Sequence, residues 1–266
     1  MKTVKIEQSY ATFLCCQVYH KFAYRNDPDL SEGEDILIFA EPNVDSVHDI
    51  EMNEFNAIGL AEHLHEAYPE NAIIGTAKVS KVTHNTWTTY DGQKGENWWI
   101  EIEGAALFEH SIPASAPEGD VFEYHIDSLP DIYHPTIPEM EMDGDTIVMP
   151  CNKKLFDSIA SGEVKDLVLS FATPLARLFR QIPNSIYCES LAGLPFYRVN
   201  YTVIIEGFFK KIRLTHGNKT ITHELIECYL DSHDSSDPEY APEDLDDVLY
   251  VEGSFFELQN LYLEWK

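Results

Sequence analysis

Six basic side chains fall in one region of an otherwise acidic chain: Arg177 and Arg180 in PLARLFRQI, Arg198 in FYRVN, and Lys210, Lys211 and Arg213 in FFKKIRLTH. Three residues apart on a helix is one face, so Arg177 and Arg180 can hold one anion between them. Two apart on a strand is one side, which joins Lys211 to Arg213. Such a set suits phosphate. The competing reading is that these cations pair with the acidic segment 231–247 of the same half and hold nothing external. Aromatic residues supply a second ingredient. Trp87 and Tyr90 lie in THNTWTTYDGQKGEN among polar neighbours, which suits a planar ligand; plain loop packing is the alternative. Trp98 and Trp99 are adjacent in a strand-like run, so one ring faces the core and the other outward. The outward ring can stack on a base or a partner, or be covered by the linker.

Other suggestive spacings are weaker. HELIE at 223–227 lacks the second histidine of a zinc-protease helix and follows a hairpin signal, where positions four apart share no helical face. His63 and His65, two apart in an expected helix, point to different sides. The five cysteines (15, 16, 151, 188 and 228) have no CxxC spacing and an odd count, against a disulfide framework or structural zinc. Cys15 and Cys16 read as small hydrophobes on a buried helix face. No metal, cofactor or catalytic residue is expected.

These residues sit in a chain of 266 residues with 18 basic and 46 acidic side chains, net −28. That surplus repels phosphate backbones at long range. It is uneven. Residues 1–140 hold 7 Lys/Arg against 25 Asp/Glu, residues 150–220 hold 10 against 5, and residues 221–266 hold 1 against 13. No apolar run approaches the length that spans a bilayer, and MKTVKIEQSYATFL lacks the apolar core and cleavage site of a signal peptide. A cytoplasmic location without membrane contact is the expectation.

The positioning elements follow from periodicity. MKTVKIEQ reads as a strand and SYATFLCCQVYHKF as a helix. EDILIFAE is a strand, and NEFNAIGLAEHLHEAY a helix with Phe55, Ile58, Ala61, Leu64 and Tyr68 on one face. AIIGTAKVSKVTH and NWWIEIEGAALF are strands. After the Pro-containing stretch 129–144, DTIVMPCN is a strand, KKLFDSIASGEV a helix, and PLARLFRQI a short helix from Pro174. FYRVNYTVIIEGFFKKIRLTH and TITHELIECYL are strands joined through the hairpin signal HGNKT, and VLYVEGSFFELQNLYLEW follows the acidic loop SHDSSDPEYAPEDLDD. The same order of elements occurs twice. The expectation is an α+β protein of two mixed β-barrels with short flanking helices, over 1–128 and 145–266, joined by the linker 129–144.

Residues 1–126 resemble an ASCH domain of the PUA-like β-barrel superfamily. The matching pieces are KTVKIEQSYATFL, for the family's strand followed by Gln-Pro-Tyr/Trp-Ala; GEDILIFAEP, for its glycine-led strand; AIIGTAKVSKV; and NWWIEIEGAALFEHSIPASAPEG. Residues 145–266 resemble a second such unit through FDSIASGE, with Gly162, and YRVNYTVIIEGFFKK. The resemblance implies that the helix ends in a glycine followed by a Lys, an acid and an Arg lining a cleft, and that the ligand is a nucleic acid or modified nucleobase. Some members hydrolyse acetylated cytidine with a Lys and a carboxylate. It makes Gln8 and Tyr10 candidates for ligand contact. The charged set is missing. Gln17 stands at the glycine, Tyr19 at the Lys, Phe22 at the acid and Tyr24 at the Arg, and one insertion restores only Arg25. In the second half Gly162 is kept, but the other positions fall on Val164, Leu167 and Leu169, with Lys165 one place off.

Two functions are therefore open. One is a non-catalytic module for RNA, nucleotide or modified nucleobase, using Gln8, Tyr10, Arg25, Trp87, Tyr90, Lys165, Arg177, Arg180, Arg198, Lys211 and Arg213. The other is an acidic interaction module that docks on a basic, nucleic-acid-binding protein. A divergent amidohydrolase is the third and weakest.

Overall fold

KTVKIE alternates half-buried and buried side chains and forms β1 (Lys2–Glu7). The run then turns directly into α1 (Gln8–Cys15), which buries Phe13 and Leu14 completely. In this computed structural model the described residues are 1–42, 49–88, 94–170, 174, 178, 196–199, 202–206, 209–234, 248–251 and 254–266. They divide into two units. Met1–Asp49 with His63–Ile137 make one, and Ile50–Glu62 with Pro138–Lys266 make the other.

After α1 the first unit contains β2 (Lys21–Tyr24), β3 (Asp35–Glu41), β4 (Ala72–Thr88), β5 (Lys94–Pro113), β6 (Val121–Glu123) and β7 (Ile132–Tyr133). The sheet runs β2-β5-β4-β3-β1-β6, with β7 added on β5. β1 and β3 are parallel, Val4 opposite Ile38; the other pairs are antiparallel. DILIFAE reads as a nearly continuous apolar run because both faces of β3 are covered. Ile36 and Ile38 pack in the larger core with Leu14, Ile74 and Ile100, and Leu37 and Phe39 pack with Ile73 and Phe108. Gly75 sits at a register shift between β4 and β5, where an added Cβ would lie 2.3 Å from the Ala106 carbonyl oxygen and 2.6 Å from the Cys15 sulfur. Only glycine fits there.

The second unit contains α2 (Asp49–Ala57), β8 (Glu141–Asp143), β9 (Thr146–Pro150), α3 (Lys153–Ala160), β10 (Asp166–Ser170), β11 (Phe196–Val199), β12 (Thr202–Glu206), β13 (Lys211–His216), β14 (Lys219–Asp234), β15 (Val248–Val251) and β16 (Ser254–Trp265). Its main path is β10-β16-β14-β13-β9-β8. β9 and β13 are parallel and their neighbours antiparallel. The order matches that of the first sheet strand for strand, except that β6 follows its sheet in the chain whereas β8 precedes its own. β11 pairs only with β12 among the described residues, β12 continues onto β14, and β15 pairs with β16.

The architecture is α+β, mostly sheet with short helices. Closed barrels are not what forms. Among the described residues neither main path joins its end strands, β2 to β6 or β10 to β8. Those strands have three to five residues, too few ladder groups to complete a circle. Four other expectations change in detail. The helix expected over 9–22 ends at Cys15, and Lys21–Tyr24 is the strand β2. The helix expected over 53–68 stops at Ala57, because Gly59 adopts φ +97° and the chain continues as a 3-10 turn, Leu60–His63. The single strand expected over 196–216 is three strands. The stretch 129–144 carries β7 and β8. The helix from Pro174 lies outside the described residues except at 174 and 178. No described helix is long and apolar enough to cross a membrane.

Candidate functional site

The site implied by the resemblance begins at the end of α1. Gln8, its first residue, is buried: its amide donates to the Pro69 carbonyl oxygen at 2.7 Å and its Oε1 accepts from the Thr12 hydroxyl at 3.0 Å. Tyr10 donates to the Lys21 carbonyl oxygen at 2.6 Å and lies 4.8 Å from the Tyr19 ring. Both side chains make hydrogen bonds within the fold. Gln17, in place of the glycine, adopts φ +58° and donates its amide to the Ala105 carbonyl oxygen at 2.9 Å.

The next three positions hold aromatic rings that pack together. Tyr19 meets Phe13 edge to face at 5.7 Å, and Phe22, itself buried, meets Tyr24 edge to face at 5.5 Å. The Tyr24 hydroxyl donates to the Lys5 carbonyl oxygen at 2.8 Å. Burial, with help from Asp120 and Glu41, pushes its phenol well above the ordinary tyrosine range. It is a neutral donor in use, not a proton carrier. Arg25 is exposed just beyond β2. Three of the thiols are poor nucleophiles: burial pushes Cys16 and Cys151 up to about 12, and Cys15, fully covered, well above its usual value.

Beside α1 lies a cavity of about 20 Å³ lined by Thr12, His65, Glu66, Ser111 and Tyr133. His65 stacks on Tyr133 at 3.8 Å, Tyr133 donates to the His63 carbonyl oxygen, and Glu66 accepts from the Ser111 amide at 3.0 Å. That volume holds a water, not a nucleobase.

The aromatic surface of the first unit is on the β2–β5–β4 strands. Trp98 stacks on His84 at 4.3 Å, and His84 Nε2 lies 3.1 Å from Glu96. On the opposite side of β5 the Lys21 ammonium lies 5.1 Å from the centre of the Trp99 ring, and Lys81 pairs with Glu101 at 3.3 Å. Trp87 is opposite Gly95 in the ladder, its side chain outside the described set, as is Tyr90 altogether.

The basic island is only partly described. Arg177 and Arg180 lie outside the described residues, and Arg198 is placed in β11 opposite Val203 by backbone alone. Lys165 is exposed. Lys211 pairs with Glu224 at 3.3 Å, and Arg213 donates to Asp143 at 2.9 Å. The carboxylates that meet these two cations come from β14 and β8, and residues 235–247 of the acidic segment lie outside the described residues. His223 and Glu227 of HELIE lie on β14, a strand.

Two arrangements in the second unit escaped sequence reasoning. Glu62 places one carboxylate oxygen 2.9 Å from the Lys153 amide at the start of α3 and the other 3.7 Å from His216 Nδ1. Asn152 caps α3 by accepting from the Leu155 amide at 2.8 Å while donating to the Asn56 carbonyl oxygen at 2.7 Å. The second arrangement is the outward face of β10, β16 and β14, where Asp166, Glu264 and Glu227 stand in one row and Val168, Tyr262 and Tyr229 in the next. The alternation in DLVL, YLEW and ECY signalled it, but only the ladder register shows which strands are neighbours.

No protein-family model and no curated protein matches this chain. Among solved structures, two variants of ZmASCH from Zymomonas mobilis are similar, one serine-to-alanine and one tyrosine-to-phenylalanine. Each is 8% identical with a TM-score of 0.31, and each match covers 47% of this chain, against 87% of the first variant and 89% of the second.

Proposed function

We propose that this chain is a non-catalytic binding module made of two ASCH/PUA-like units, and that its partner is a basic polypeptide. The observation that carries the reading is the filled rim. Tyr19, Phe22 and Tyr24 are packed rings at the three positions where the resemblance calls for Lys, acid and Arg. Amide hydrolysis needs a positioned proton carrier, and base recognition needs a polar cleft with room for a ring. Support for two related units comes from the shared strand order, the parallel first pair in each sheet, and the helix that follows β1 and β9. A net charge of −28 attracts a cationic partner and repels phosphate. The cations Lys211 and Arg213, the sharpest described candidates for phosphate, are held by carboxylates.

The test is binding of the full chain, at low and moderate ionic strength, to a labelled peptide of alternating Arg and Leu and to single-stranded RNA, single-stranded DNA and nucleotides. Salt-sensitive peptide binding without oligonucleotide binding is expected. Oligonucleotide binding without peptide binding would overturn the reading in favour of the nucleic-acid module. That second reading has its own observation, Lys21 over Trp99 with Lys81 in a neighbouring row of the same strands, and Trp99→Ala would then abolish oligonucleotide binding. Turnover of acetylated cytidine would restore the amidohydrolase.

A further inference from the structure

We infer that the outward face of β10, β16 and β14 is the docking surface, and that its occupant is a polypeptide segment carrying Arg or Lys beside an apolar residue. This rests on the proposed function and gives it a location. Asp166 is opposite Glu264, and Glu264 is opposite Glu227, so three carboxylates cross three strands in one row. All three are exposed, and none makes an ion pair with a described residue. Like charges directly opposite each other destabilise a sheet. The next row is Val168, Tyr262 and Tyr229, with the two tyrosine rings stacked 4.5 Å apart at 15°.

The exposed apolar side chains on this surface are an independent observation. Val168 is 53% exposed, and Ile226, the extra residue at the register shift between Leu225 and Glu227, is 50% exposed. A bulge of this kind re-aims a side chain. The opposite side of the same strands is closed core, with Leu169, Leu261, Leu263, Trp265 and Cys228 buried. The exposed side chains are thus not an unfinished interior.

Charge complementarity selects the occupant. Strands about 4.8 Å apart spread the three carboxylates over roughly 10 Å, and basic side chains two apart in an extended segment are separated by about 7 Å. Two such side chains fit the gaps of the row, where a guanidinium can be met by two carboxylates at once. Val168 and Ile226, on opposite sides of the carboxylate row, take apolar side chains that flank the basic ones. A nucleic-acid backbone would meet three uncompensated negative charges.

The experiment measures anisotropy of the Arg–Leu peptide with full-length protein. The first variant combines Asp166→Lys, Glu227→Lys and Glu264→Lys; a second combines Asp166→Asn, Glu227→Gln and Glu264→Gln. A control moves the same charge elsewhere, on the exposed residues Glu32, Glu103 and Glu118. Thermal unfolding establishes that each variant is folded. The inference expects about tenfold or greater weakening in both face variants and a much smaller change in the control. Equal weakening in face variants and control would show that bulk charge does the work and would overturn the location alone. Unchanged binding in the amide variant would do the same. Failure of the wild-type chain to bind the peptide would overturn both the location and the proposed function.

Discussion

Gln17 occupies φ +58°, a region that costs an L side chain roughly 1–2 kcal/mol, and the hydrogen bond its side-chain amide donates to the Ala105 carbonyl oxygen offsets roughly 1 kcal/mol of that. The two effects can be separated. Gln17→Ala keeps the strain and loses the bond, so it should lower stability by about 1 kcal/mol. Gln17→Gly loses both and should be close to neutral. Urea unfolding of the pair checks this, and equal losses would refute a strained backbone. That this position departs from the resemblance was legible in the sequence, which keeps a glycine only in the stretch around Gly162, where φ is +76°. The compensation was not legible, because Ala105 is distant in the chain. Glu66 adds a pH dependence. The Ser111 hydroxyl, more than the Ser111 amide and His110, holds its carboxyl below the usual range. A lowered folded value contributes stability that is complete above the ordinary glutamate range and lost as pH falls through the folded value. The stability gap between wild type and Glu66→Gln should therefore be present at neutral pH and shrink on acidification below about 4.3. A constant gap in thermal unfolding across that range would refute the linkage.

Elements were legible where the period was unambiguous. Alternation placed β4, β5, β9 and β14, and the Gly217 turn joined β13 to β14 as HGNKT implied. The apolar face over 53–68 misled because its spacing is helical while its backbone is not: an apolar stripe records burial, and a 3-10 turn after Gly59 buries Leu60 equally well. The single long strand over 196–216 failed for a related reason, since β-rich composition continues through the breaks between β11, β12 and β13. Asn152 shows what the α3 helix gains from these contacts. One side chain supplies the N-cap and the bond to Asn56, while the backbone N–H of Asn152 donates to the Ala57 carbonyl oxygen at 2.8 Å. Asn152→Ala should cost about 2 kcal/mol, the sum of a lost cap and a lost part-buried bond. Asn152→Asp keeps the cap and loses only the donor, so it should cost less. Equal losses in chemical denaturation would show that the cap is unimportant.

On the scale of the whole molecule, the charge balance was visible in the sequence, but the path of residues 50–62 was not. They lie between β3 and β4 of the first sheet, yet belong to the second unit. Periodicity says that Phe55, Ile58 and Leu60 are buried; it carries no information about which sheet receives them. The structure buries all three to 2% exposure or less. At roughly 1.5–3 kcal/mol for each large apolar side chain, this segment supplies stabilisation comparable with the whole margin of an ordinary domain, about 5–15 kcal/mol. Cutting the chain in the Pro-containing stretch is the natural way to obtain the second unit, and that fragment, 138–266, lacks the segment. It should therefore populate a loosely packed state that exposes apolar surface, seen as dye binding and a broad thermal transition. A synthetic peptide covering 49–63, added in trans, should restore a cooperative transition, while the same peptide with Phe55 and Ile58 changed to Ser should not. If fragment 138–266 instead unfolds sharply and gains nothing from the peptide, residues 50–62 are dispensable to the second core.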